Sequence, residues 1–97
     1  MIQTFKGAGT EAIFNGDNTQ AARRTCPESL WKVALRKLDL LDSAASSQDL
    51  RVPPANRLER LTGQRKGQHS IGINDRYRIC FVWTEEGPDQ VEIVDYH

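Results

Sequence analysis

The fold is decided by residues 68–83, which read QHSIGINDRYRICFVW. Residues 68–74 and 77–83 alternate between apolar and polar or small side chains, as expected of strands that bury one face. The triplet Asn-Asp-Arg at 74–76 between them is typical of a tight turn. This stretch therefore predicts a β-hairpin.

Further strands are predicted on both sides of this hairpin. Residues 57–61 read as a short strand, and residues 91–96 read as the last one. Glu-Glu-Gly-Pro at 85–88 is a turn signal, and the proline pair at 53–54 favours an extended connector. Everything after Pro54 therefore predicts an antiparallel meander.

The first half of the chain predicts helices. Thr-Cys-Pro-Glu at 25–28 has the spacing of a capping box, with proline in the first turn. Apolar residues then recur at helical spacing: Leu30, Trp31, Ala34, Leu35, Leu38, Leu41 and Ala45. We predict a helix over residues 27–44, a weaker one over 9–14 and a short strand over 2–5. The fold class is α+β: a single domain over residues 1–97, with N-terminal helices packed on one face of a small, mainly antiparallel β-sheet.

The alternation also assigns faces within the sheet. The buried face is expected to carry the large side chains Tyr77, Ile79, Phe81 and Trp83. Arg78, Cys80 and Val82 then lie on the open face, unless a bulge reverses the pattern. His69 shares a face with Ile71 and Ile73, which is typical of a core or edge histidine with its hydrogen bonds made.

The composition fits one small globular domain in the cytoplasm. The chain has 97 residues, of which 38% are hydrophobic and 27% charged. No apolar run approaches the roughly 18 residues of a membrane span, so no membrane partner is expected, and the start lacks the features of a secretory signal. Two cysteines are too few for a disulfide framework.

Charge is unevenly distributed, although the net charge is zero. Residues 51–78 carry seven Lys or Arg against two acids, a balance of +5, whereas residues 79–97 carry five acids and no Lys or Arg, a balance of −5. An arginine-rich segment suits contacts with phosphate or carboxylate groups. The alternative is a solvated basic face that pairs with the acidic tail in the fold.

No metal or nucleotide cofactor is predicted. The sequence contains no Cys-x-x-Cys, no histidine pair at helical spacing and no glycine-rich loop between a strand and a helix.

The last three residues, Asp95-Tyr96-His97, are the candidate for chemistry. They offer a carboxylate, a phenol and an imidazole, and the imidazole has an ordinary pKa of about 6.5, which suits proton transfer near neutrality. The alternative is a frayed chain end without a role.

Four blocks in this order resemble the HigB family of toxins in the RelE superfamily. They are PPANRLERL at 53–61, GQRKGQHSI at 63–71, NDRYRICF at 74–81 and VEIVDYH at 91–97, and the opening MIQTFK fits as well. The sequence resembles most closely the branch sometimes called GraT.

This resemblance implies a RelE-like toxin that enters the ribosomal A site and cuts mRNA there without a metal ion. It also implies a HigA-like helix-turn-helix antitoxin as partner, with operator DNA bound only through that antitoxin. The residues of this chain are compatible with that reaction, because RNA cleavage without a metal needs a base, an acid and cations around the phosphate.

The resemblance carries over Arg78 and the terminus Asp95-Tyr96-His97, and the other candidates are residues of this chain that could supply a base or positive charge. The expected catalytic residues are Glu59, Arg78, Asp95, Tyr96 and His97. The expected RNA-binding residues are Arg57, Arg60, Arg65, Lys66, Asn74 and Arg76.

Two positions depart from the pattern of other family members. Glu59 and Thr62 stand where some members carry a histidine and a lysine. Glu59 is interpreted either as the base, similar to the YoeB branch, or as an ion-pair partner of Arg57, Arg60 or Arg78 that only organises the site. Two rival functions remain: a gyrase-directed toxin like those of the ParE branch, and a weakly active or non-catalytic regulatory relative.

Overall fold

The computed structural model describes residues 1–96, so the predicted role of His97 lies outside the described residues. The helices are α1 (Ala8–Asn15), α2 (Gln20–Thr25) and α3 (Trp31–Ser43), and the strands are β1 (Glu59–Arg60), β2 (His69–Gly72), β3 (Tyr77–Thr84) and β4 (Gly87–Asp95). Helices followed by a four-stranded antiparallel sheet confirm the predicted α+β class. No helix within residues 1–96 is long and apolar enough to cross a membrane.

The sheet is a meander with strand order β1-β2-β3-β4. The N-terminal segment covers the outer edge of β4, where the Val91 amide donates to the Thr4 carbonyl (3.0 Å) and the Lys6 amide donates to the Val91 carbonyl (2.9 Å). The strand predicted over residues 2–5 is reduced to one parallel bridge between Phe5 and Val91. Among the described residues, the short strand β1 is left as the free edge of the sheet.

The helices pack on the predicted face of the sheet. Leu38 and Leu41 of α3 are fully buried in one cluster with Ile79 and Phe81 of β3. Burying one such side chain contributes about 1.5–3 kcal/mol, so this layer holds α3 against the sheet. The predicted inward orientation of Ile79 and Phe81 is therefore confirmed.

The capping box predicted at residues 25–28 is wrong. Thr25 ends α2, and its hydroxyl donates to the Ala21 carbonyl (2.8 Å) instead of capping the next helix. A 3-10 turn over Glu28–Leu30 follows, and α3 begins at Trp31. Helix α2 was not predicted; it begins after Thr19, whose hydroxyl accepts from the Ala22 amide (3.1 Å).

The connector between α3 and β1 is anchored by a buried polar pair. Asn56 is fully buried, and its side-chain amide donates to the carbonyls of Leu50 (3.3 Å) and Val52 (3.4 Å). Its carbonyl oxygen accepts from the ammonium of Lys37 on α3. These bonds fix the connector against α3 because an unpaired buried amide would be costly.

The second face of the sheet is not open as predicted. Arg78 and Cys80 are only 7% and 1% exposed. The segment between β1 and β2 crosses this face, since Arg65 reaches Glu92 on β4 with a distance of 3.5 Å between Nη1 and Oε1. A register shift does occur between Cys80 and Val82, yet it does not reverse the faces. Burial comes instead from polar contacts that include the segment between β1 and β2, whose path strand alternation does not reveal.

Candidate active site on the second face of the sheet

A row of four polar or thiol side chains crosses the second face. One residue of each strand takes part, and neighbours in the row are strand partners. The pairs are Glu59 with Ser70, Ser70 with Cys80, and Cys80 with Glu92. Three strand spacings place the Cα atoms of Glu59 and Glu92 roughly 14 Å apart. The face therefore carries a carboxylate at each end, with a buried hydroxyl and thiol between them.

Arg78 lies next to this row and is held by the protein. Its Nε donates to the Ser70 hydroxyl (2.7 Å), and its Nη2 donates to the Arg57 carbonyl (2.5 Å). The same Nη2 lies 3.8 Å from Oε2 of Glu59, whose side chain is 57% exposed. This distance is too long for a hydrogen bond, so the attraction is electrostatic. A buried cation thus lies beside an exposed carboxylate, a geometry that serves either interpretation of Glu59.

Arg65 supplies a second cation at the β4 end. Its Nη1 lies 3.2 Å from Oε1 of Gln68 and 3.5 Å from Oε1 of Glu92, and about a third of its side chain is exposed.

The thiol of this face belongs to Cys80 on β3, which pairs with Glu92 on β4. Burial raises the pKa of the Cys80 thiol, although the charges of Arg65 and Arg78 act in the opposite direction. Cys80 therefore stays protonated and is a poor nucleophile.

A groove of about 340 Å³ continues from Arg65 toward the chain end. Thr62, Gln64, Arg65 and Tyr96 line it, and the Tyr96 side of the groove is accessible because that residue is 41% exposed. An exposed phenol ring beside a guanidinium can stack on a nucleobase while the cation binds a phosphate.

Asp95 is tied to Arg76. The guanidinium donates through Nε to Oδ1 (2.8 Å) and through Nη2 to Oδ2 (2.7 Å), and the Tyr96 amide donates to the Arg76 carbonyl (2.7 Å). The two residues, one expected to be catalytic and one expected to bind RNA, thus bind each other. Together they fix the last described residues to the β2–β3 turn.

Two other predicted RNA-binding residues, Asn74 and Arg57, stabilise the β2–β3 turn. The side-chain oxygen of Asn74 accepts from the amides of Arg76 (2.9 Å) and Tyr77 (2.7 Å). Arg57 donates to the Asn74 carbonyl (2.7 Å) and lies 3.4 Å from the carboxylate of Asp75. Both side chains are thus occupied by contacts within the protein.

Lys66 and Arg60 are exposed, and within residues 1–96 neither makes a side-chain hydrogen bond or ion pair. Arg60 pairs with His69 across the strands, whereas its neighbour Glu59 pairs with Ser70. Successive strand residues point to opposite faces. The structure therefore brings Glu59, Arg78, Arg65 and Tyr96 to one face and directs Arg60 to the other.

Three contributors to the site were missed from sequence: Ser70, Gln68 and Glu92. Alternation in β2 and β4 offered a signal for Ser70 and Glu92, since each lies next to a residue assigned to the core. Nothing local signals Gln68, because its contact with Arg65 depends on how the intervening turn folds. No metal-type group of three or more His, Cys, Asp or Glu residues occurs within residues 1–96.

Comparison with known proteins assigns the family. Residues 3–97 match the family model of the RelE-like toxin of the type II toxin–antitoxin system HigB. Toxin HigB-1 of Vibrio cholerae serotype O1 is 39% identical over 85 residues, which cover 88% of this chain and 86% of that toxin. An uncharacterised protein of Haemophilus influenzae is 42% identical over 55 residues, 57% of this chain and 54% of that protein. The chain belongs to the HigB-like family of RelE-like toxins of type II toxin–antitoxin systems.

Proposed function

We propose that this toxin is a ribosome-dependent endoribonuclease that cuts translated mRNA in the A site. One observation carries the proposal: the exposed carboxylate of Glu59 lies 3.8 Å from the buried guanidinium of Arg78. On the same face lie the partly exposed cation of Arg65 and the exposed ring of Tyr96. This combination offers a base, positive charge and a stacking surface to one strand of RNA.

The proposed reaction is attack of a ribose 2′-hydroxyl on the adjacent phosphate. Glu59 accepts the 2′-hydroxyl proton while the new O–P bond forms, and His97 donates a proton to the 5′-oxygen as its bond to phosphorus breaks. The products are a 2′,3′-cyclic phosphate and a 5′-hydroxyl. In this scheme Arg78 holds Glu59 in place, and Tyr96 stacks on a base of the cut codon.

Arg65 is proposed to stabilise the negative charge that develops on the phosphate oxygens. Its guanidinium is only partly neutralised, since the nearest Glu92 oxygen is 3.5 Å away and a third of the side chain reaches solvent. Lys66, the next residue in the segment between β1 and β2, is exposed and adds a further positive charge. These groups supply the positive charge that a bound metal ion would otherwise provide, so we propose metal-independent cleavage.

The proposed partners are a HigA-like helix-turn-helix antitoxin, the ribosome and mRNA, with operator DNA bound only through the antitoxin. Such a target places the toxin in the cytoplasm, among translating ribosomes. Membership of the GraT-like branch stays a prediction, because the family match does not separate the branches.

Mapping of new RNA 5′ ends after brief induction without antitoxin tests this function. We expect new ends inside reading frames, and their loss when translation initiation is blocked. Growth arrest without new ends would indicate a gyrase-type target instead. Absence of both effects would favour the non-catalytic relative.

A further inference from the structure

A second groove lies on the opposite side of β1 from the candidate active site. We call it the rear groove; it measures about 470 Å³ and is lined by Gln48, Arg51, Leu58, Arg60 and His69, together with Arg57. Among residues 1–96, no carboxylate lines this groove. Ser47–Arg51, a 3-10 turn of the anchored connector, forms one wall, and the sheet edge forms the other.

Two of its arginines are not neutralised. Within residues 1–96, Arg51 and Arg60 make no ion pair or side-chain hydrogen bond. Arg57, in contrast, donates to the Asn74 carbonyl and forms an ion pair with Asp75. Unpaired arginines gathered in one concave surface repel each other, and an anion relieves that repulsion. A guanidinium also fits a phosphate through two parallel hydrogen bonds.

His69 adds a hydrogen-bond donor to this surface. Its ring stacks on Phe81 with centroids 6.1 Å apart, and its Nδ1 is buried without a partner in the described chain. The expectation of a histidine with its hydrogen bonds made is therefore wrong. An unpaired buried N–H is less tolerable than an unpaired acceptor, so we assign the proton of the neutral ring to Nε2. Because His69 lines the groove and Nδ1 is buried, Nε2 is the nitrogen that reaches it.

We propose that the rear groove binds a backbone phosphate of the RNA strand, next to the nucleotide that is cut. Arg51, Arg60 and the Nε2–H of His69 are the proposed ligands of that phosphate. This inference rests on the proposed function, and it assigns to the toxin a second contact with its substrate beyond the catalytic face.

The position of β1 favours RNA as the occupant. Glu59 and Arg60 are consecutive, and they point to opposite faces of a free sheet edge only two residues long. A nucleotide strand that crosses this edge can leave one phosphate at Glu59 and place a neighbouring one at Arg60. Leu58 and Pro54 add apolar surface beside the cations, as a sugar and base require.

Binding of a 2′-deoxy trinucleotide to the full-length toxin tests the proposal, because this probe lacks the 2′-hydroxyl and cannot be cut. The His69 imidazole is followed by NMR; the chain has only two histidines, so His97→Ala assigns the signals. We expect the His69 signal to move on saturation. We also expect the pKa of His69 to rise, because the phosphate offsets the nearby arginine charges.

Two variants and a control sharpen this test. Arg51→Gln and Arg60→Gln should each weaken trinucleotide binding about tenfold. Each should also reduce the slope of log affinity against log salt by about 0.7, as expected for one lost phosphate contact. Arg24→Gln on α2, an exposed arginine that does not line the groove, should change neither quantity.

Trinucleotide binding that leaves the His69 signal and both arginine variants unaffected would overturn the inference. So would a hexaglutamate peptide that moves the His69 signal when the trinucleotide does not, because the groove would then bind protein carboxylates. The assay requires no cleavage, so it separates the two claims. Binding in the rear groove without cleavage on the ribosome would contradict only the proposed function. Cleavage on the ribosome without this binding would contradict only the proposed phosphate site.

Discussion

The guanidinium of Arg76 holds the carboxylate of Asp95 through two hydrogen bonds, Nε to Oδ1 at 2.8 Å and Nη2 to Oδ2 at 2.7 Å. Arg76 lies in the turn between β2 and β3, and Asp95 ends β4. The pair therefore fastens the C-terminal strand to a neighbouring turn, just before the exposed ring of Tyr96. We therefore propose Asp95 as a positioning residue, with the proton transfers left to Glu59 and His97.

Asp95→Asn is expected to lower ribosome-dependent cleavage about tenfold or more, because looser placement of Tyr96 costs orientation. The midpoint of thermal unfolding should change little, since the pair is exposed. The exchanged double variant Asp95→Arg with Arg76→Asp should recover part of the activity. Asp17→Asn, an exposed aspartate far along the chain in the α1–α2 turn, is the control. Native activity in Asp95→Asn would contradict a positioning role.

Glu59→Gln is expected to slow cleavage by about 10²–10⁴-fold, because it removes the proposed general base. The variant keeps the shape of the side chain and removes its ability to accept a proton. Single-turnover cleavage of ribosome-bound mRNA measures the effect, and Glu85→Gln in the β3–β4 turn is a matched control. A rate within a few-fold of native would assign Glu59 to an ion pair with Arg78 alone.

Asn56→Ala is expected to lower the free energy of unfolding by about 1–3 kcal/mol, because it leaves the buried Leu50 carbonyl and the Lys37 ammonium without their partner. Lys37 and Asn56 are only 9% and 0% exposed, so most of the lost bonding lies inside the protein. Urea denaturation measures the change. Asn18→Ala, at an exposed position before α2, should cost much less. Equal effects of the two substitutions would show that the connector does not depend on this anchor.

His69 predicts a pH dependence of stability. Burial, aided by the charge of Arg60, holds the pKa of His69 below its ordinary value of about 6.5. The unfolded chain then takes up this proton at higher pH than the folded chain, so the free energy of unfolding decreases as pH falls below about 6.5. The decrease continues until the folded-state pKa is reached.

Urea titrations at about pH 7.5 and about pH 5.5 measure this dependence. His69→Gln should show a smaller decrease between the two values than the native chain. Arg60→Gln should move the pKa of His69 upward, toward its ordinary value, in an NMR titration. Identical pH dependence in native and His69→Gln chains would contradict the effect of burial on this ring.

The elements that sequence predicts well are those with a strong apolar period. Helix α3 repeats its buried residues at helical spacing, and β3 alternates through Ile79 and Phe81. Helix α2 was missed because Gln20–Thr25 buries only Ala22 and has no apolar face. The capping signal at Thr25 was misread for the same reason, since that threonine already belongs to α2.

The candidate site was only partly predictable. Family resemblance supplied Arg78 and Tyr96, and the arginine-rich segment supplied Arg65. Glu59 was a candidate at a position that departs from the family pattern. The structure brings these four residues to one face. The resemblance could not show that the Arg76 side chain binds Asp95 of β4, or that the Asn74 side chain accepts from a backbone amide of its own turn. Both side chains are therefore already bound within the protein. Nor does the sequence show that Arg65 reaches Glu92 on β4, because that contact depends on the path of the β1–β2 connection.

The central claim is that this toxin cuts mRNA only on the ribosome. The most direct measurement incubates the purified toxin with one mRNA, either free or bound to reconstituted ribosomes with an empty A site. We expect a cut in the A-site codon of the bound mRNA, with a 5′-hydroxyl end, that persists in excess chelator and is lost in Glu59→Gln. Equal cutting of free and bound mRNA, or no cutting of either by folded toxin, would contradict it.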